Sequence, residues 1–336
     1  MGDRPSYPDR RYRSWNPAVR ALLTNKKVQI LLNAGFGCVL LVVAFFSARH
    51  FMRSGWPLHH ADPLLVGASA LLFFIAYAFK AWGWQRLFAK HERPSSQSLA
   101  FAGGAACVGG IALPGRVDDA VRIAIVKRFP GTRVGLGTVG LSLIVLGMLD
   151  NAALTPLASV AAVSSSSMLV RAGFLVVAVA GVLAALLIAF LPFLARRDRV
   201  TRYRAGRWLA SHTHCTKEAG AAWLFVSVSW GLRGTAVFLL LNALSLHGSF
   251  ALALAFLCDS AASAALPIAP AGAATQAGAG AAILMASGMK GTEALAFSVA
   301  SQALVIVTGA AVMLCITAWQ VGVRVKPHLR RVSTAV

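Results

Sequence analysis

The sequence predicts an all-α polytopic membrane protein, with about six full spans and two broken helical segments of opposite orientation. Three observations carry this expectation. Hydrophobic residues make up 57% of the 336 positions, mean hydropathy is +0.69, and only 13% of residues are charged. Several apolar runs hold about twenty residues or more, enough to cross a hydrocarbon core of about 30 Å. The 32 Lys and Arg outnumber the 11 Asp and Glu, for a net charge of +21, and gather at the ends of those runs. Cationic side chains at such ends set topology and meet anionic headgroups.

Residues 1–27 are polar and basic, with Arg4, Arg10, Arg11, Arg13, Arg20, Lys26 and Lys27, and read as a cytoplasmic tail. A membrane domain follows over 28–323. The run 28–48 is too long for a signal-peptide core and reads as a retained first span. The second span is 63–87, with Trp82 and Trp84 placed for an interfacial belt and Arg86, Lys90 and Arg93 on the cytoplasmic side.

The broken segment 98–130 comes next. Its apolar part is short for a crossing, and Ala102, Ala106 and Gly110 recur at four-residue spacing, which lets another helix approach closely. Pro114 and Gly115 then interrupt it before the charged stretch LPGRVDDAVRIAIVKR. The segment reads either as a re-entrant hairpin with its tip at Leu113–Gly115, or as a short tilted span followed by an amphipathic surface helix.

Span 134–162 carries Asp150 and Asn151 in its middle, where a charge needs a partner or a wet cavity. The serine run 164–167 is an outside turn, 169–194 is a further span, and the arginine-rich stretch 196–217 is the clearest cytoplasmic loop. Span 220–246 contains Arg233, with Trp223 and Trp230 nearby as interfacial or core aromatics. The second broken segment, 251–288, contains Asp259 and a Pro/Gly break with Pro267, Pro270 and Gly272. The last span is 293–322, with Glu293 at its outer boundary, and 324–336 is a basic cytoplasmic tail. Span, broken segment and span thus occur twice in opposite directions, the pattern of an inverted repeat.

The charge excess raises nucleic acid as a partner, but no aromatic-basic module or known nucleic-acid fold accompanies it, so none is expected. The expected partners are membrane lipids with anionic headgroups, and lipid-biosynthetic enzymes as docking partners. Cys38, Cys107, Cys258 and Cys315 fall in apolar segments, where cysteine acts as a small hydrophobe. Cys215 lies beside His212 and His214, but no second ligand cluster completes a tetrahedral set, so neither metal nor cofactor is expected.

A lipid headgroup crossing a bilayer needs a polar path. Arg116 lies beside the helix start opened by Pro114 and Gly115, a place suited to receiving a phosphate. Asp119 and Arg122 are three apart on one helical face and can pair, orienting the arginine. Thr275 and Gln276 are candidate hydrogen-bonding groups for the same headgroup. Asp150, Arg233 and Asp259 are the intramembrane charges, with Arg233 expected to pair with Asp150 or Asp259 in a coupling or helix-binding role.

In these two motifs the chain resembles the lysylphosphatidylglycerol synthase transmembrane-region family, the flippase-like domain proteins. LPGRVDDAVRIAIVKR supplies Pro114, Arg116, Asp119 and Arg122 of one family segment, and VLGMLDNAAL supplies its Asp150. LPIAPAGAATQAG supplies Leu266, Pro267, Pro270, Gly272, Thr275 and Gln276 of a second. Leu146 and Gly147 stand where many members carry Glu-Arg, Ala271 and Ala274 replace glycines, and Ala277 replaces a glutamate, which marks a divergent member. The resemblance implies an integral membrane protein that moves or handles lipids such as aminoacylated phospholipids or lipid-linked glycans. The soluble aminoacyl-transferase domain of fused members is not expected.

The function expected is movement of an anionic or phosphate-bearing lipid between leaflets by alternating access, without enzymatic chemistry. The location expected is the bacterial cytoplasmic membrane, with both termini cytoplasmic. No G-x-x-x-x-G-K-[ST] is present, so ATP does not drive it from within this chain. The alternatives are a non-transporting scaffold of a lipid or cell-envelope biosynthesis complex, and a membrane-embedded lipid transferase.

Overall fold

The computed structural model describes residues 61–112, 117–129, 132, 134–165, 168–195, 216–246, 248–265 and 272–333, all within one compact unit, Gly55–Val336. Among the described residues there are nine helices and no strands. They are α1 (Pro63–Arg86), α2 (Ser96–Ala112), α3 (Val117–Arg128), α4 (Leu136–Ser164), α5 (Met168–Ala195), α6 (Thr216–Ala243), α7 (Phe250–Ala265), α8 (Gly272–Ala286) and α9 (Gly291–Ser333).

Local chemistry sets the helix starts. Asp62 caps α1 by accepting the Leu64 N–H at 2.9 Å, and Pro63 occupies the first turn, where its missing N–H costs nothing. Ser95 and Ser249 do the same for α2 and α7. Their hydroxyls accept from Ser98 N (3.2 Å) and Leu252 N (3.1 Å), three residues on in both cases.

Within α1, α4, α5, α6 and α9 lie five stretches long and apolar enough to cross a membrane. They match five of the six full spans expected from hydropathy; the sixth, 28–48, lies outside the described residues. Each broken segment is a pair of short helices packed side by side, α2 on α3 and α7 on α8. Their lengths of 17, 12, 16 and 15 residues correspond to roughly 18–26 Å at 1.5 Å per residue, short of a full hydrocarbon core. The breaks at 113–116 and 266–271, with Pro114, Gly115, Arg116, Pro267 and Pro270, lie outside the described residues.

The core is the α1–α6 pair. Asp62 N–H donates to Ala243 O (2.9 Å), Ser69 Oγ to Ala236 O (2.8 Å), and Ser229 Oγ to Ala76 O (2.8 Å). A Cβ on Gly83 would lie 3.1 Å from Ala222 O. Rising positions on α1 meet falling positions on α6, so the helices are antiparallel. Ser69, Ala76 and Gly83, like Ala222, Ser229, Ala236 and Ala243, are seven residues apart and buried. Small residues at a heptad spacing keep one seam facing the partner and let the backbones come close.

The remaining helices pack around this pair with matched neighbours. α1 touches α2 and α9 as α6 touches α7 and α4; α2 packs on α9 as α7 packs on α4; α3 meets α4 as α8 meets α9. Helix α5 has no counterpart among the described residues. Only 17% of its apolar window is buried, and Val176, Leu183 and Phe190 point outward, as contact with lipid requires.

Two expectations change. Trp84 is not a belt residue: it is buried, and its indole donates to Ser142 Oγ at 2.9 Å, because its face of α1 turns toward α4. Trp82, two residues earlier and therefore on another face, is exposed. The last helix continues to Ser333, through residues read as a tail, since Arg and Lys are good helix formers and a change of polarity alone does not end a helix.

Candidate functional site

Positions 77 and 80 of α1 are one helical turn apart and share a face, as do 230 and 233 of α6. Because α1 and α6 cross closely, these four side chains converge, and Asp150 reaches them from the middle of α4. Lys80 Nζ lies 2.9 Å from Asp150 Oδ2, and Trp230 Nε1 donates to Asp150 Oδ1 at 2.9 Å. Both oxygens of this carboxylate are thereby engaged. Lys80 also stands over the Trp230 ring at 5.4 Å.

Arg233 is held differently. Its guanidinium lies 5.2 Å from the Trp230 ring centroid and 5.5 Å from that of Tyr77, within cation–π range. Among the described residues it forms no ion pair, and its buried Nε has no hydrogen-bond partner. Tyr77 donates its hydroxyl proton to Cys107 Sγ of α2 at 2.8 Å, with Val305 O of α9 at 3.4 Å. Here α2 and α9 nearly touch: a Cβ on Gly104 would fall 2.5 Å from Gly309 O. Five helices thus meet around Tyr77, Lys80, Asp150, Trp230 and Arg233.

This corrects the expected pairing of Arg233 with Asp150 or Asp259. Neither pair forms; the partner of Asp150 is Lys80. The reason is register: Lys80 sits opposite Asp150 and has the reach, whereas Arg233 is enclosed by two aromatic faces. Among the described residues Asp259 on α7 has no ion pair, and its buried Oδ2 lacks a hydrogen-bond partner.

On α3, Arg122 bonds Asp119 at 2.9 Å and lies 3.5 Å from Asp118, so the pairing expected from the i,i+3 spacing forms. Gln276 on α8 accepts from Gln302 Nε2 of α9 at 3.3 Å. Gly272 opens α8, and the side chain of Thr275 lies outside the described residues. Of the residues expected at the site, the cluster holds Asp150 and Arg233; Arg122 is held by Asp118 and Asp119 on α3, and Gln276 and Asp259 lie on neighbouring elements.

Reasoning from sequence missed Lys80, Tyr77, Cys107 and Gln302. Lys80 was visible as a charge inside an apolar run, but a lysine within two turns of a span end can extend its ammonium to the interface. Glu218 was also missed. It receives Arg86 (3.1 Å) and Arg93 (3.4 Å), which ties the end of α1 and the following loop to the start of α6.

A helical bundle of long apolar helices around a polar cluster defines a polytopic integral membrane protein. The family model for the lysylphosphatidylglycerol synthase transmembrane region matches residues 29–312, and the chain belongs to that family. No match is found among curated proteins or among solved structures.

Proposed function

We propose that this protein moves an anionic or phosphate-bearing lipid between leaflets by alternating access, acting as a transporter and not an enzyme. In this reading α1–α4 and α6–α9 are an inverted repeat, and α2–α3 and α7–α8 are re-entrant hairpins entering from opposite faces of a bacterial cytoplasmic membrane, with both termini cytoplasmic. The observation that carries it is the matched packing of the two sets about the antiparallel α1–α6 pair. Two equivalent halves of opposite direction can exchange conformations, and that exchange opens a central site to one side and then the other.

The central site fits an anion. Asp150 is paired with Lys80, whereas Arg233 has no carboxylate partner among the described residues. A guanidinium held between aromatic rings is pre-oriented for phosphate, to which it can donate two parallel hydrogen bonds. Arg122, oriented by Asp118 and Asp119, and Arg116 extend the path along the first hairpin, with Thr275 and Gln276 on the second. Acyl chains remain in the bilayer while the headgroup passes.

The test is lipid movement in proteoliposomes containing headgroup-labelled phospholipids and polyprenyl phosphate, comparing the wild type with Arg116→Ala/Arg122→Ala and with Arg233→Gln. Movement by the wild type that the folded variants lose supports transport. A folded wild type that moves none of these lipids sinks it and favours a scaffold of lipid biosynthesis.

A further inference from the structure

The cluster accounts for Asp150 but not for the second intramembrane acid. Asp259 lies near the middle of α7, with one oxygen buried and without a hydrogen-bond partner among the described residues. The residue as a whole is half-buried, so the carboxyl is not sealed off.

The elements packed on α7 are α4, α5, α6 and α8, and α9 reaches it through Phe297 against Phe256; the Glu293 of α9 pairs with Lys290 at 3.7 Å. Their charged groups are few and engaged elsewhere. Asp150 on α4 holds Lys80, Arg171 on α5 donates to Ser165 O at 3.0 Å, and Glu218, beside Lys217 at the start of α6, binds Arg86 and Arg93. Arg233 on α6 faces Tyr77 and Trp230, and α8 carries no ionisable residue. On α7 itself, Cys258 is the one other titratable group. Among the described residues no cation compensates Asp259.

An ionised carboxyl left without donors in apolar surroundings is unfavourable, so such a group binds a cation or a proton. A metal ion takes several oxygen ligands together, and among the described residues no three His, Cys, Asp or Glu lie close enough to hold one. A proton needs only the carboxylate. The chain also lacks a phosphate-binding loop that would supply ATP energy from within.

We infer that Asp259 is a proton-binding site that couples lipid movement to a transmembrane proton gradient; this rests on the transport reading above. A proton from the side of higher concentration bonds to one carboxylate oxygen. The neutral hairpin α7–α8 then changes its access, and the O–H bond breaks to release the proton on the other side. No other bond is made or broken, and one proton moves per cycle. Asp150 differs in having both oxygens engaged, by Lys80 and Trp230.

The experiment uses the full chain in vesicles of phosphatidylglycerol, phosphatidylethanolamine and polyprenyl phosphate, each labelled in turn, with an entrapped pH-sensitive dye and the membrane potential clamped. Expected are accumulation of a labelled lipid in one leaflet under a pH gradient, accompanied by proton flux. Asp259→Asn should abolish both while still exchanging lipid at zero gradient, and Asp259→Glu should retain both. Lipid movement by the wild type that ignores the pH gradient, or that follows a sodium gradient instead, overturns the inference and leaves the transport reading intact. A gradient response that survives in Asp259→Asn also overturns it. Failure of the wild type to move any lipid overturns both.

Discussion

Ser69 and Ser229 are equivalent partners: each donates its hydroxyl to a carbonyl of the opposite helix at 2.8 Å, Ser69 to Ala236 and Ser229 to Ala76. The two bonds lie on either side of the same antiparallel crossing. Arg233 falls between them on α6, with Phe73 at the corresponding position of α1 and Leu240 corresponding to Lys80. A near-symmetric seam therefore carries an asymmetric polar cluster. Each charged residue of the seam has an apolar residue at its symmetry-related position, which gives a single central site where a fully symmetric seam would repeat it.

The close seams predict where size is not tolerated. Gly104→Val pushes side-chain atoms into the Gly309 carbonyl of α9, a backbone group that cannot rotate away. A loss on the order of 1–3 kcal/mol is expected from overpacking. Thermal unfolding followed by size exclusion in detergent should show a clear fall, while Gly67→Ala, which meets open space, should not.

The Lys80–Asp150 pair predicts a non-additive cycle. Lys80→Met leaves Asp150 with Trp230 alone and should cost about 3 kcal/mol, the range for stranding one member of a buried pair. Lys80→Met/Asp150→Leu removes both charges and should recover much of that loss. Additive destabilisation in the double variant would count against a shielded pair.

Arg233→Lys retains the charge but loses the planar group lying between Tyr77 and Trp230. If phosphate binds there, lipid movement should fall about tenfold or more, since a charge-assisted hydrogen bond contributes about 1.5–3 kcal/mol. Stability should change little in comparison. An unaltered transport rate would remove Arg233 from the path.

Re-entrance is tested by accessibility. In a variant lacking the five native cysteines, single cysteines at Glu92 and Thr132 flank the first hairpin. Both should react with a membrane-impermeant reagent from the same side of sealed vesicles. Labelling from opposite sides would show that the segment crosses the bilayer.

The broken segments and long spans were legible because a hydrocarbon solvent imposes its demand residue by residue. Length, apolarity and the position of Pro114, Pro267 and the basic flanks are local quantities. The Asp119–Arg122 pair was legible for the same reason: three residues on one helix suffice to place it. Trp84 was misplaced because its sequence position near a span end is shared by belt and core residues alike.

What the sequence determined by itself is the solvent of this protein, its all-helical class, the two broken segments and the identity of its intramembrane charges. The tertiary structure decided which charges meet. Lys80 and Asp150 are seventy positions apart, and Arg233 is farther still, so their encounter depends on the rotation and offset of helices that no local pattern encodes. Those offsets come from the small-residue seam between α1 and α6, which brings two backbones together and thereby brings Arg233 beside Tyr77.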